Sequence, residues 1–322
     1  MIYLINKLRM LSILTCLLIG VNSTSAVAGE TRILPAPKKI SEHVYAWIGP
    51  YGGPNTDNKG YRMNLAFVVG DDAVAVLDSG FYPQMAEEML MHIRKITNKP
   101  IKYVINSNSQ ADRFFGNSVF KKQGANIYAH AIELQRMKEN SSNYMAFIEN
   151  SMKFKEDSVK PPTLPDHPIE KMTSIDLGGG VELKIEHHKA AHTPMPLIMH
   201  IPVDNVVYAG DILYSGRLLA ITNGGNIKQW METVNYLKRF DRARFIPGHG
   251  EPGPLSSFQK STYDYLALLN TGMAKMVDEG IDMQDAIDKL DQSGFSYLEN
   301  FEDLAGRNAN RAYQEAESAA FD

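Results

Sequence analysis

Four polar loops in this sequence carry side chains of the kinds that bind metal ions, and each loop follows an apolar segment. These side chains are Asp112, His192, Asp211 and His249, in loops 106–117, 192–194, 210–211 and 247–250. Imidazole and carboxylate groups at strand ends are suitable zinc ligands, and catalytic zinc is held by about three of them together with a water molecule. Any one of these residues, taken alone, is also typical of an ordinary loop.

The segments between these loops have the composition of strands and helices in alternation. The turn Gly70-Asp71-Asp72 predicts a hairpin over 65–79, and the proline-rich stretch 160–168 predicts a loop or linker. Further strands are expected at 43–49, 101–106, 126–131, 181–188, 196–202, 205–211 and near 244–247; helices are expected at 83–97, 118–124, 131–153, 227–237, 256–279, 282–291 and 302–318. The repeated rhythm predicts two α/β halves packed sheet against sheet, with helices outside.

The composition is typical of a globular protein and excludes some partners. The 322 residues are 44% hydrophobic and 22% charged, with a formal net charge of -4 and a pI of about 6.2. An acidic chain without a basic run interleaved with aromatics is not suited to bind nucleic acid or an anionic membrane. The expected partner is a small-molecule ligand or a periplasmic protein.

The first 28 residues have the features of a secretory signal peptide. Lys7 and Arg9 precede an apolar run, and the small residues Ala26 and Ala28 mark two alternative cleavage positions. The alternative, a membrane anchor, fits less well because the run is too short to span a bilayer comfortably. Cys16, the only cysteine, lies in this run, so the mature protein is expected to be periplasmic and free of thiol nucleophiles, disulfides and cysteine metal ligands.

Five segments, taken in order, resemble the metallo-β-lactamase superfamily. They are 64–80, 103–117, 191–194, 206–211 and 246–250. The resemblance implies an α/β fold, a four-layer αββα sandwich whose site lies along one edge where the two sheets meet. The expected organisation is a signal peptide over 1–28, a metallo-β-lactamase-like domain over 29–254 and a helical C-terminal extension over 255–322. Stretch 306–317 resembles the helical end of a secreted subgroup of this family.

The loop after the strand at 101–106 departs from the family pattern H-x-H-x-D-H. The three histidine positions of that pattern fall on Asn108, Gln110 and Arg113, and only Asp112 matches. Amides are poor zinc ligands in water, and a guanidinium stays protonated and cannot coordinate a cation. Arg113 is instead suited to pair with Asp112 or Asp211 and to replace part of the missing metal charge.

The remaining family ligands are retained, which leaves two incomplete metal sites. The first site keeps only His192 and Asp211, whereas the second keeps Asp112, Asp211 and His249. The ligand count predicts at most one zinc ion, or none.

Three hypotheses follow from this ligand set. The first is an inactive family member that acts as a secreted ligand-binding or accessory protein. The second is a mononuclear hydrolase of an ester, thioester or amide, with its metal on Asp112, Asp211 and His249. The third is metal-free acid–base catalysis by Asp112 and His249. The simplest alternative for Asp112 and Arg113 is a solvated ion pair in an exposed turn. Loop 51–64 is a candidate lid over the site.

Overall fold

The computed structural model describes residues 32–321, and the chain from Arg32 onward forms one compact unit. Its first sheet has seven strands in the order β1-β2-β3-β4-β5-β6-β7. Strands β1 to β4 pair antiparallel and β4 to β7 pair parallel. The bounds are β1 Lys38–Lys39, β2 Val44–Trp47, β3 Leu65–Val69, β4 Val74–Leu77, β5 Ile101–Ile105, β6 Asn126–His130 and β7 His167–Ile169.

The second sheet has five strands in the order β12-β11-β10-β9-β8. Its strands pair antiparallel except for β11 and β12, which run parallel. The bounds are β8 Thr173–Asp176, β9 Glu182–Glu186, β10 Ile198–Ile201, β11 Val206–Tyr214 and β12 Arg244–His249. The α-helices of the described chain are α1 Pro83–Ile96, α2 Ala111–Phe114, α3 Asn117–Lys121, α4 Ala131–Met152, α5 Ile227–Tyr236, α6 Tyr265–Asp278, α7 Met283–Lys289 and α8 Phe301–Phe321.

Alternation along the strands builds the layers. On β3, Ala66 and Val68 belong to the apolar cluster between the two sheets, whereas Leu65 and Phe67 belong to the cluster shared with α1. Side chains of a strand point alternately to its two faces, so each buried strand supplies two apolar layers. A third cluster joins β11 to α5, α6 and α8. The predicted α/β fold, two sheets face to face with helices outside, is therefore confirmed.

The prediction for the proline-rich stretch 160–168 is wrong at its end. His167 and Pro168 belong to β7, where Pro168 lies opposite Ala129 of β6. A proline has no backbone N–H and would remove a hydrogen bond from a central strand. Strand β7 lies at the edge of its sheet and therefore tolerates Pro168. Strand β8 was not expected from the sequence, because only Ile175 of its four residues is buried.

The helix expected over 256–279 is interrupted at its start. A 3-10 turn at Leu255–Phe258 and a π-helical segment at Gln259–Asp264 precede α6. In the π segment, Ser261 and Thr262 donate hydroxyl hydrogen bonds to the carbonyl of Tyr214, at 2.7 and 2.9 Å. The interruption therefore fixes the end of β11, which carries Asp211.

Candidate functional site

The loop that follows β5 is held by buried polar contacts. The carboxylate of Asp78, at the end of β4, accepts hydrogen bonds from the Ser107 backbone N–H (2.6 Å) and hydroxyl (2.7 Å). The amide of Asn106 donates to the carbonyl of Arg113 at 2.8 Å. These contacts direct the short helix α2, with Asp112 and Arg113, into the protein interior.

Arg113 forms a bidentate ion pair with Asp211. Its Nη2 lies 2.6 Å from Oδ1 and its Nε lies 2.9 Å from Oδ2, and its side chain is 0% exposed. Its Nη1 donates to the carbonyl of Asn64 at 3.0 Å. Two parallel charged hydrogen bonds in this geometry are among the stronger polar interactions in proteins. The expectation of a solvated Asp112–Arg113 pair is wrong, because both residues are buried. The Nε of Arg113 lies 3.7 Å from Oδ1 of Asp112, which is farther than its contacts with Asp211.

The charge of Arg113 also acts on the buried carboxylates around it. Burial alone would raise the pKa of Asp211, but the positive charge of Arg113 holds the pKa of Asp211 well below its ordinary value. For Asp78 the balance is the reverse. Burial raises the pKa of Asp78 to about 6, although Arg113 and hydrogen bonds from Ser107 and Tyr208 oppose that rise. Asp211 is thus the anionic partner of Arg113.

Two other predicted site residues contact Asp211. The amide of Asn108 donates to Oδ2 at 2.8 Å, and Nε2 of His249 lies 3.5 Å from Oδ1. Gly248 passes so close to this carboxylate that a β-carbon added there would lie 2.2 Å from Oδ1. A glycine is therefore required before His249.

The imidazoles of His192 and His249 are both neutral and share one tautomer. In His192 the Nδ1 lies 2.7 Å from the carbonyl of Ala220, and in His249 it lies 2.9 Å from the carbonyl of Arg62. A carbonyl only accepts, so Nδ1 carries the proton and Nε2 keeps its lone pair. Burial lowers the pKa of His192, and burial together with Arg217 lowers the pKa of His249 well below the ordinary value.

A cavity of 370 Å³ brings most of the predicted residues together. Asp112, His192, Asp211, His249 and Gln110 line it, whereas Asn108 and Arg113 contact Asp211 without lining it. Four arginines that the sequence pattern does not predict as site residues also line this cavity: Arg62, Arg136, Arg217 and Arg307.

Two of these arginines fall in stretches for which the sequence predicts other features. Arg62 belongs to the candidate lid 51–64, and Arg307 belongs to 306–317. Tyr51, at the start of the same loop, does not line the cavity. Its ring packs so closely over Gly216 that a β-carbon there would lie 2.2 Å from the ring.

The donor set does not fit the zinc ions that the family resemblance implies. Both oxygens of Asp211 accept hydrogen bonds from Arg113, and Asp112 accepts one from Arg62 at 3.2 Å. Within residues 32–321, no group of three or more histidine, cysteine, aspartate or glutamate side chains is placed to hold a metal ion. The fixed positive charge of Arg113 also repels a cation at this position.

Comparison with known proteins gives the family. The model of the metallo-beta-lactamase superfamily matches residues 60–249. Metallo-beta-lactamase IND-1 of Chryseobacterium indologenes is 25% identical over 223 residues, which cover 68% of this chain and 82% of that protein. Metallo-beta-lactamase type 2 of Elizabethkingia meningoseptica is 22% identical over 254 residues, covering 77% and 90%.

A solved structure agrees in fold. The metallo-beta-lactamase from Pontibacter korlensis superimposes with a TM-score of 0.58 at 19% identity, covering 72% of this chain and 98% of that one. Because the family model spans most of both sheets and every predicted ligand position, the chain belongs to the metallo-beta-lactamase superfamily.

Proposed function

We propose that the mature chain is a secreted ligand-binding or accessory protein that uses the metallo-β-lactamase cleft without dizinc hydrolysis. The observation that carries this proposal is the buried bidentate pair between Arg113 and Asp211. Asp211 occupies the position of the bridging carboxylate that the family pattern implies. In this chain its charge is neutralised by a side chain that cannot dissociate from the protein.

Two physical reasons oppose the displacement of Arg113 from Asp211 by a zinc ion. A zinc ion on Asp211 would have to displace Arg113, whose guanidinium would then remain buried without its anionic partner. Removing one partner of a buried ion pair costs about 3–5 kcal/mol, because the remaining charge stays desolvated. The histidines that would offset this cost in the family pattern are replaced here by Asn108, Gln110 and Arg113 itself.

One observation favours a second candidate function, a mononuclear metal-dependent hydrolase of an ester, thioester or amide. Asp112, Asp211 and His249 line the same cavity, and Nε2 of His249 keeps its lone pair. A single metal on these three groups would supply a water molecule activated for attack. This candidate requires Arg113 to move away from Asp211, so we place it second.

Hydrolysis assays separate the two candidates. The mature wild type and a variant with Asn108→His, Gln110→His and Arg113→His are tested on a chromogenic lactam and a thioester, with and without added zinc. We expect no zinc-stimulated hydrolysis by the wild type, and a gain in the triple variant because three imidazoles are restored. Zinc-stimulated turnover by the wild type would favour the mononuclear hydrolase instead.

The proposed location is the periplasm, and it rests on the signal-peptide features of residues 1–28, which lie outside the described residues. In residues 32–321 there is no helix of sufficient length and apolarity to span a membrane. N-terminal sequencing of the periplasmic protein is expected to begin after Ala26 or Ala28. Soluble cytoplasmic protein that begins at Met1 would contradict the proposed location.

A further inference from the structure

The walls of the cavity carry more positive charge than their carboxylates neutralise. Among the described residues, Arg62 is the only one of the four lining arginines with a carboxylate partner, which is Asp112. Asp211, the other lining carboxylate, is already paired with Arg113. Within residues 32–321, Arg136, Arg217 and Arg307 have no carboxylate within 4.0 Å. Three guanidinium charges therefore line one recess without an ionic partner among residues 32–321.

Arg217 is the most informative of these residues. It follows β11 and is only 5% exposed, yet its Nη1 is buried with no hydrogen-bond partner in the described chain. Its Nε has one long contact, 3.4 Å to the carbonyl of Leu218. Burial, with a further contribution from the charge of Arg62, lowers the pKa of Arg217 to about 10, so it remains charged at neutral pH. A buried guanidinium without a hydrogen-bond or ionic partner is costly, and a bound anion would remove that cost.

Two neighbouring arginines share the same feature. The Nε atoms of Arg62 and Arg136 are also buried without a partner among residues 32–321. The lining arginines reach the cavity from different elements: Arg62 from the loop before β3, Arg136 from α4 and Arg307 from α8. Convergence of guanidinium groups from separate elements on one recess is difficult to explain as a solvated surface, because each group is held near charges of the same sign.

We infer that this cavity binds a small molecule through a phosphate or sulfate group, with Arg217 as its central contact and Arg62, Arg136 and Arg307 around it. The inference rests on the proposed function, since it treats the cleft as a metal-free binding site. Guanidinium groups bind such tetrahedral anions through paired N–H donors, and a dianion neutralises more of the excess charge than a monocarboxylate does.

The size and polarity of the cavity indicate a ligand larger than a free phosphate or sulfate ion. A volume of 370 Å³ lies in the range of small-molecule sites and exceeds what one phosphate fills. Gln110, Thr222 and Asn223 add uncharged hydrogen-bonding groups to the lining. The ligand is accordingly a small polar molecule that carries the anionic group at one end.

The test is calorimetric titration of the full mature chain, treated with EDTA, in a buffer free of phosphate and sulfate at constant ionic strength. The probes are inorganic phosphate, inorganic sulfate, glycerol 3-phosphate and acetate. We expect saturable binding of at least one of the dianions, tighter binding of glycerol 3-phosphate if the ligand is a phosphate ester, and much weaker binding of acetate. Dianion binding no tighter than that of acetate overturns the inference.

Variants locate the binding. Arg217→Gln should weaken dianion binding on the order of tenfold or more. Arg217→Lys should weaken it less, since lysine keeps the positive charge but lacks the paired N–H donors of the guanidinium. Because Arg217 is buried, the exposed Arg307→Gln provides a second test, with a loss of severalfold expected. Arg311→Gln, one turn further along α8 and outside the cavity, is the matched control. Unchanged affinity in folded Arg217→Gln and Arg307→Gln overturns the inference.

A metal measurement distinguishes failure of this inference from failure of the proposed function. Zinc-free protein that binds no dianion refutes the anion site and leaves the proposed function intact. Dianion binding that disappears with EDTA and returns with zinc would show the anion bound to a metal, and would overturn both. Dianion binding that is retained in EDTA and lost in Arg217→Gln supports both.

Discussion

Replacing Arg113 by methionine should destabilise the fold by about 3–5 kcal/mol near neutral pH, the cost typical of removing one partner of a buried ion pair. The structure supports a value in this range. The substitution removes two charged hydrogen bonds to Asp211 and one to the carbonyl of Asn64. Asp211 would keep the amide of Asn108 and the neutral His249 as its nearest polar neighbours.

The loss should depend on pH in a defined direction. Without Arg113, burial dominates and raises the folded-state pKa of Asp211 above its unfolded value of about 3.9. A raised carboxyl pKa gives stability that is present at low pH and is lost as pH rises through the folded-state value. The Arg113→Met deficit should therefore be smaller at mildly acidic pH than at mildly alkaline pH.

Urea denaturation of the wild type, Arg113→Met and the double variant Arg113→Met/Asp211→Asn measures these effects. The double variant removes both charges together, so it is expected to be more stable than Arg113→Met alone at alkaline pH. A single variant that loses less than about 1 kcal/mol, the level of an exposed ion pair, would refute the description of this pair as buried and central.

Three further outcomes are expected. EDTA should shift the melting temperature little, because apolar clusters on both sheets supply the core. The Nδ1 of His130 caps α4 by accepting a hydrogen bond from the Ile132 N–H, and burial lowers the pKa of His130 to about 4. Its contribution to stability is therefore full above about pH 6.5 and is lost as pH falls towards 4. The melting temperature of His130→Asn should depend less on pH in that interval than the melting temperature of the wild type. Asn308→Ala should cost about 2–4 kcal/mol in chemical denaturation, because the backbone groups of Leu219 and Ile221 lose their buried partner. A loss near zero for Asn308→Ala, an unfolding transition in EDTA, or unchanged pH dependence in His130→Asn would contradict these expectations.

Much of the fold follows from local pattern in the sequence. The hairpin predicted over 65–79 is present as β3 and β4, with Val69 opposite Val74, because apolar runs around Gly70-Asp71-Asp72 leave few other pairings. The helix predicted over 83–97 is α1, whose apolar face fits the helical period. Edge elements were harder to predict, since β7 and β8 are short and only partly buried.

The site was predictable where residues follow strands and not where distant elements converge. Asp112, His192, Asp211 and His249 were selected by their positions after apolar segments, and the structure places them on one cavity. Arg136 and Arg217 carry no local signal, because each is an ordinary cation in its own segment. Their shared role depends on tertiary packing of α4, the chain after β11 and α8, and neither propensity nor periodicity encodes that packing.

The helical C-terminal part contributes to the site although the family match ends at residue 249. Its helix α8 supplies Arg307 to the cavity, and Asn308 beside it accepts a hydrogen bond from the Ile221 N–H at 3.0 Å and donates one to the Leu219 carbonyl at 2.8 Å. The segment from Arg217 to Asn223, which forms one wall, is thus held by this helix. The ligand specificity of the cleft should depend on α8 as well as on the matched domain.

The zinc content of the purified mature protein tests the central claim most directly. Wild type and the Asn108→His/Gln110→His/Arg113→His variant are incubated with excess zinc, desalted and measured by elemental analysis. We expect less than one zinc per wild-type chain and about two per variant chain, since the variant restores the ligand number that zinc favours at each position and removes the charge of Arg113. One or two stoichiometric zinc ions in the wild type would contradict the account, and a single ion would favour the mononuclear hydrolase.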